Sequence, residues 1–224
     1  MLHRHLGLAT ICLAILAASA SAQQYSVESL AQPAPADGLS QEISGALSET
    51  GLVVKRDGSR VVCEIWLAKS LAVKEGFTPS SSLLYPLEPG QLIGVIRYPR
   101  KAEDFRGQEI PRGVYTIRFA LQPEDGNHVG TSDTRDFLLL APAADDQQLA
   151  PPDVESLNER SATVAGGTHP TMMCLLKPSE GDTPAMVHDE ARELWSVRCS
   201  TKTAAGDDAP PVVLQIVVVG KAEA

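Results

Sequence analysis

The chain has 224 residues, and its acidic side chains outnumber its basic ones, giving a formal net charge of −9 at pH 7. Lys and Arg do not cluster anywhere along it, which argues against a nucleic-acid-binding protein, because neutralising phosphates requires such clusters. About 200 residues follow the N-terminal segment, enough for one β domain with a substantial core.

The first 22 residues predict a secretory signal peptide. A basic start precedes an apolar run over 6–18 that is short for a bilayer span, and small residues form a cleavage motif at 20–22. The mature chain would then begin at Gln23. No later segment has about 18 uninterrupted apolar residues, so we expect a secreted or periplasmic protein with no transmembrane segment in its mature chain.

Hydrophobic and polar residues alternate in several later segments, which is typical of β-strands. In RVVCEIWLAKS, residues 60–70, one face carries Cys63 and Ile65 and the other carries Trp66. The dipeptide Asp57-Gly58 stands before this strand and predicts a two-residue hairpin turn, because both positions tolerate positive φ.

The alternation is clearest in VYTIRFALQ, residues 114–122. One face carries Tyr115, Ile117, Phe119 and Leu121, and the other carries Thr116, Arg118 and Gln122. This pattern predicts a strand with one face in water. Segments 137–140 and 212–219 are apolar on both faces and predict central strands. Further strands are predicted over 91–98, 171–177 and 194–200.

Helix signals are few. The segment 153–162 starts with Asp153, a good N-cap residue, and 187–193 has the composition for one or two helical turns. The stretch 141–152 predicts an internal linker. Because only three strong strands follow it, we expect one all-β domain over 23–224, a single β-sandwich of about eight to ten mostly antiparallel strands with one or two short helices.

The stretch QPEDGNHVGTSDTRDFLLL, residues 122–140, is the best candidate for a functional loop. Its polar side chains are Asp125, Asn127, His128, Asp133, Arg135 and Asp136. Part of this set follows a calcium-loop spacing, but Val129 stands where an oxygen ligand is needed and the flanks predict strands. The alternative, which the sequence favours, is a polar turn whose side chains hydrogen-bond the loop backbone.

Two histidines offer a related site. His128 and His169 both lie in glycine-flanked loops, and a meeting of the two beside Asp125 or Asp133 would allow zinc binding or general-base chemistry. The safer interpretation of each is a surface or turn histidine. No catalytic signature motif occurs in the sequence, so whether the protein is an enzyme, and with which cofactor, stays open.

Three cysteines follow the signal segment: Cys63, Cys174 and Cys199. Cys174 and Cys199 both lie in short apolar strands, so one prediction is a disulfide between them. The alternative is three buried thiols that act as small hydrophobic residues.

Two resemblances add to this interpretation. EIPRGVYTIRFAL, residues 109–121, resembles an edge motif of transthyretin-like and carboxypeptidase-regulatory-like β-sandwiches, in which a glycine, here Gly113, turns the chain and a tyrosine, here Tyr115, enters the core. With GQLIGVIRY, GTHP and the whole stretch from RGQEIP to FLLL, the chain resembles a group of uncharacterised secreted bacterial proteins. The resemblance implies an exported β-sandwich and brings no activity.

Two functional hypotheses follow. The first is an exported, non-enzymatic β-sandwich that serves as a binding or envelope-associated module, with an unknown protein or carbohydrate as its ligand. The second is a metal-binding protein or metal-dependent enzyme with its site in the 125–136 and 166–170 loops. Trp66 and Trp195 lie within predicted strands and are expected in the core rather than on a carbohydrate platform.

Overall fold

A computed structural model describes residues 24–123, 132, 134–206 and 208–222. Over these residues the protein is all-β, with thirteen strands and two short helices. The strands are β1 (Tyr25–Leu30), β2 (Gly51–Arg56), β3 (Arg60–Leu67), β4 (Ser70–Leu71), β5 (Leu92–Tyr98), β6 (Ala102–Glu103), β7 (Glu109–Ile110), β8 (Gly113–Leu121), β9 (Asp136–Pro142), β10 (Met172–Leu176), β11 (Ala185–Asp189), β12 (Leu194–Thr203) and β13 (Val212–Val219). The helices are α1 (Gln41–Ala46) and α2 (Val154–Val164). Neither helix is long and apolar enough to cross a membrane.

Ten strands form one continuous curled sheet in the order β1-β2-β3-β5-β8-β9-β10-β13-β12-β11. The pairings along this path are antiparallel, and the short β4 joins β12 in parallel. β10 forms the corner of the curl, because Met172–Cys174 pair with β9 whereas Leu175 and Leu176 pair with β13. The sequence predicted two facing sheets, but the strands are hydrogen-bonded into a single one.

The main hydrophobic cluster fills the inside of the curl. Its buried side chains come from both halves of the sheet and include Cys63, Ile65, Ile96, Tyr115, Ile117, Phe119, Leu138, Leu140, Leu175, Val197, Leu214 and Ile216. The inward face of β8 is therefore the one that the alternation predicts, and Tyr115 enters the core as the edge motif implies. The Asp57-Gly58 turn between β2 and β3 is also confirmed, with positive φ at both residues.

The prediction that β8 exposes its other face to water is wrong. Thr116 and Arg118 on that face are both completely buried. The chain after β9 folds across them, and the Asp146 carboxylate accepts hydrogen bonds from Arg118 Nε at 2.6 Å and Nη2 at 2.9 Å. Because the charge is paired, a polar face can be buried here. The stretch 141–152, which was predicted to be an internal linker, begins with the last two residues of β9 and is tied to the sheet at Asp146.

A second cluster lies outside the curl, where the short α1 covers Trp66. Ser40 caps α1 by accepting a hydrogen bond from Ile43 N at 3.1 Å. Trp66 is buried as predicted, and its indole N–H donates to the carbonyl of Gln32 at 2.9 Å. No sequence signal predicted α1, because its six residues are too few to show a helical period.

One of the two predicted helices is confirmed and the other is not. α2 forms where predicted, and the Asp153 carboxylate caps it by accepting a hydrogen bond from Ser156 N at 2.9 Å. The segment 187–193 is not helical: Val187 and His188 belong to β11, which pairs with β12, and a turn follows. The ladder to β12 supplies backbone hydrogen bonds that a one-turn helix would lack.

β1 and β11, the two outer strands of the curled sheet, come into contact with each other; we call this junction the seam. At one end of the seam the ring centroids of Tyr25 and Trp195 lie 5.1 Å apart, and His188 stacks on Trp195 at 3.9 Å. Trp195 is only partly buried, so the prediction that it lies in the core is wrong.

The cysteines Cys63, Cys174 and Cys199 are buried and form no disulfide with one another, so the predicted bridge between the last two is not formed. The sheet register gives the reason. Leu175 lies opposite Ile216, and Ile216 lies opposite Val197, so Val197 and Cys199 face the main cluster whereas Cys174 faces the other way. Burial raises the pKa of Cys199 to about 12 and also raises that of Cys63.

We expect these buried thiols to be unreactive in the folded protein, because burial disfavours the nucleophilic thiolate. A thiol-reactive dye should label almost none of the mature protein at neutral pH and all three cysteines after denaturation. Only one labelled cysteine after denaturation would contradict the structure, since it would reveal a disulfide.

Candidate functional site

The structure tests the predicted loop only in part. Asp125, Asn127, His128 and Asp133 lie outside the described residues. Arg135 and Asp136 are described: Asp136 is the first residue of β9, and Arg135 directly precedes the strand.

Asp136 fastens a neighbouring segment to the sheet. Its completely buried carboxylate accepts hydrogen bonds from Leu84 N at 2.8 Å and from Tyr85 N at 3.2 Å. Burial raises the pKa of Asp136, and the two backbone donors oppose part of that rise. The backbone N–H of Arg135 donates to the carbonyl of Ser82 at 2.8 Å. These contacts give Asp136 a structural role.

His169 lies far from Asp136. It is an exposed residue in the turn between α2 and β10, and Met172 of β10 pairs with Leu139 of β9. Because these strands are antiparallel, the turn before β10 lies at the end of β9, whereas Asp136 begins that strand. Within the described part of the chain, no three His, Cys, Asp or Glu side chains come together in a way that would hold a metal ion.

A groove of about 640 Å³ opens at the other end of the seam from the aromatic rings. We call it the seam groove; it is lined by Ser29, Ser48, Thr50, Gly51, Leu52, Ile65, Leu67, Ala68, Lys69, Thr183, Pro184, Cys199, Ser200, Thr201, Lys202 and Pro211. Small-molecule sites in proteins commonly occupy about 300–1,000 Å³, so its size suits a small ligand.

The groove exists because β11 is shorter than its partner β12. The ladder between them ends at Ala185 and Arg198, and the parallel pairing with β4 begins only at Lys202. Between these points, residues 199–201 of β12 pair with β13 on one side. No described strand pairs with the other side of residues 199–201. This stretch of β12 forms the floor of the groove.

Hydroxyl groups hold the walls of the groove in position. Thr183 and Ser200 share a hydrogen bond of 2.8 Å, which ties the chain before β11 to β12. Thr201 donates to the carbonyl of Ala68 and so joins β12 to the chain after β3. Contacts of this kind across distant segments fix the shape of the groove before any ligand arrives.

Two lysines stand in the lining of the groove. Among the lining residues that the structure describes, the charged ones are Lys69 and Lys202, and none is Asp or Glu. Lys69 Nζ donates to the carbonyl of Gly45 in α1 at 2.9 Å, so its ammonium group is already hydrogen-bonded within the protein.

A second cavity of about 440 Å³ lies beside His188. Its lining carries both signs of charge, with Lys177 and Arg192 beside Asp189 and Glu190. Arg192 Nε and Asp189 Oδ2 are 2.7 Å apart, so part of that charge is neutralised within the protein. The seam groove is therefore the better candidate for a ligand.

No sequence pattern predicted the groove. Its lining comes from six separate parts of the chain, and most of the side chains are Ser, Thr, Leu or Pro, which form no motif. The pattern that exposes it is the difference in length between two paired strands, which a local sequence signal does not carry.

Comparison with known proteins gave no match: no family model fits the chain, and no curated protein or solved structure matches it significantly. The resemblance to secreted bacterial proteins therefore stays a prediction.

Proposed function

We propose that the protein is an exported, non-enzymatic binding module that takes a small ligand in the seam groove. The observation that carries the proposal is a groove of about 640 Å³ with an apolar base and hydrogen-bonding groups around it. Binding sites typically combine such a base with a few polar groups that orient the ligand. Thr50 and Ser48 at the rim, and Thr183 and Ser200 opposite, supply those groups.

The proposal also includes the export of the protein and the arrangement of its sheet in two layers. Export is supported by the basic start, apolar run and small-residue motif of residues 1–22. We further propose that the two halves of the curled sheet face each other as the layers of a β-sandwich. One layer would contain β1, β2, β3, β5, β8 and β9, and the other would contain β10 to β13. The main cluster supports this, because it contains residues from both groups of strands.

A ligand screen with matched variants tests the proposal. Thr50 is exposed, so Thr50→Trp is expected to change the free energy of unfolding by only about 0.5 kcal/mol while placing an indole in the groove. Thr78→Trp is the control, because Thr78 is an exposed threonine that does not line the groove. We expect ligand-observed NMR on a small-molecule library to give hits that Thr50→Trp abolishes and Thr78→Trp preserves.

Two results would contradict the proposal: no binding compound at all, or hits that survive Thr50→Trp unchanged. The rival metal site, built from Asp125, His128, Asp133 and His169, is tested on the same purified protein by elemental analysis. A full equivalent of zinc or calcium would support that rival, and loss of the metal in His169→Ala would locate it.

A further inference from the structure

We infer that Arg198 is the positioning residue of the seam groove, because it holds in place the segment that forms one of the groove's walls. This segment, residues 179–184, lies between β10 and β11, and we call it the wall segment. Its last two residues, Thr183 and Pro184, line the groove. The role of Arg198 rests on the proposed function, since it concerns the shape of that same binding site.

Arg198 lies beneath the wall segment and is hydrogen-bonded to it at several points. It belongs to β12, and only 8% of it is exposed. Its Nε and Nη2 donate to the carbonyl of Asp182 at 3.0 and 2.8 Å. Its Nη1 donates to the carbonyl of Glu180 and to the hydroxyl of Ser179, both at 2.7 Å. Because the donors of a planar guanidinium have fixed directions, these bonds hold three residues of the segment in one geometry.

The wall segment in turn supplies the oxygen atoms that a buried cation needs. Within the part of the chain that the structure describes, the acceptors of the Arg198 guanidinium are carbonyl and hydroxyl oxygens of the wall segment, and none is a carboxylate. Burying a charged group is costly unless hydrogen bonds compensate it. If the wall segment moved away, the guanidinium would lose these acceptors. The position of the segment and the burial of the charge therefore depend on each other.

Further contacts hold the two ends of the wall segment. At one end, Ser179 N donates to Gln215 Oε1 at 2.8 Å, and Gln215 lies opposite Arg198 in the ladder between β12 and β13. At the other end, Thr183 shares its hydrogen bond with Ser200, which lies on the same face of β12 as Arg198. Arg198 thus stands in the middle of a row of contacts between the segment and the sheet.

Gly181 shows how closely the guanidinium packs against the wall segment. Its φ is +121°, which side chains of L-residues rarely adopt, and a Cβ atom at this position would lie 2.6 Å from Arg198 Nη2. The guanidinium could give way only by breaking some of its hydrogen bonds to the segment. Gly181→Ala should therefore disturb the contact between Arg198 and the wall segment without removing the charge.

Cys199 reports the position of the wall segment without any ligand. Its buried thiol lines the groove, whereas Cys63 and Cys174 are not among the described lining residues. In Arg198→Met the segment loses its bonds to the guanidinium and opens more often. We expect N-ethylmaleimide to label Cys199 at least about ten-fold faster than the other two cysteines, as the loss of hydrogen bonds to a charged group predicts. Mass spectrometry of peptides from the mature protein measures the three rates.

Three further variants show whether the effect belongs to this contact. Gly181→Ala should also favour labelling of Cys199. Arg198→Lys should give an intermediate rate, because an ammonium group keeps the charge but lacks the planar fork that reaches several acceptors at once. Arg118→Met is the matched control, since Arg118 is another buried arginine and does not line the groove. It should lower stability and yet label Cys199 no faster than Cys63.

The same variants test the consequence for binding. Arg198→Met should weaken the strongest library hit that Thr50→Trp abolishes by at least about ten-fold, because the compound must then order the wall segment itself. Arg118→Met should leave the affinity of that compound unchanged in conditions where the variant is folded. Calorimetric titration measures both affinities.

The results separate the role of Arg198 from the function proposed for the groove. Equal labelling rates of Cys199 and Cys63 in Arg198→Met and in Gly181→Ala would overturn the role of Arg198, because any loss would then be global. Unchanged affinity of the strongest hit in Arg198→Met would overturn it as well. A library without hits would count against the proposed function alone, since the labelling of cysteines needs no ligand.

Discussion

Replacing Arg118 with Met is expected to lower the free energy of unfolding by about 3–5 kcal/mol, because the buried Asp146 carboxylate loses its main partner and keeps only Thr116 and a contact of 3.4 Å with Arg160. Both side chains are almost completely buried, and two hydrogen bonds of 2.6 and 2.9 Å join them. Arg118 Nη1 also donates to the carbonyl of Gly90 at 2.7 Å, which would lose that donor. Urea denaturation followed by circular dichroism measures the change.

Two further variants identify the cause of the loss. Combining Arg118→Met with Asp146→Leu should recover much of the stability, since replacing a whole buried ion pair by apolar residues is often close to neutral. Lys55→Met removes an ion pair with Glu28, whose side chain is half exposed, and should cost less than about 1 kcal/mol. If Arg118→Met cost no more than Lys55→Met, β8 would have the water-facing side that its sequence predicts.

Replacing Asp104 with Ala should lower the free energy of unfolding by about 3 kcal/mol, because several partly buried donors lose their acceptor at once. The Asp104 carboxylate accepts hydrogen bonds from Arg106 N at 2.9 Å, from Gln108 N at 2.8 Å and from Met172 N at 3.2 Å. It thereby connects the turn between β6 and β7 to the start of β10. The same urea titration measures the loss.

Asp145→Ala is the control for Asp104, because Asp145 is exposed. We expect it to change the free energy of unfolding by less than about 0.5 kcal/mol. Asp104→Asn should have an intermediate effect, since the amide retains one acceptor oxygen. Equal stabilities of the Asp104→Ala and Asp145→Ala proteins would show that water reaches the backbone donors.

Sequence patterns correctly predicted the structural elements that depend on interactions between residues close together in the chain. The inward positions of β8 follow from a two-residue period, and the start of α2 follows from Asp153 as its cap. The Asp57-Gly58 turn likewise needs only two adjacent residues that accept positive φ. In each case the deciding interaction lies within a few residues of the chain.

The wrong or missing predictions concern features that depend on contacts between distant segments of the chain. Arg118 is polar, and its burial depends on Asp146, which lies 28 positions later. Nothing in the β8 sequence reveals that partner. The seam groove depends on contacts of still longer range, since Thr201 and Ala68 are 133 positions apart. The composition of the polar loop predicted a functional role for Asp136, yet its carboxylate accepts hydrogen bonds from the backbone of Leu84 and Tyr85.

The most direct test of the ligand site is a map of backbone amide shifts. Two-dimensional NMR spectra of the ¹⁵N-labelled mature protein would be recorded with increasing amounts of the strongest hit from the library screen. We predict the largest shifts at Thr50, Leu67 and Thr201, which line the groove on facing walls. Shifts concentrated instead at His169, or in the loop that precedes Asp136, would contradict a ligand site at the seam.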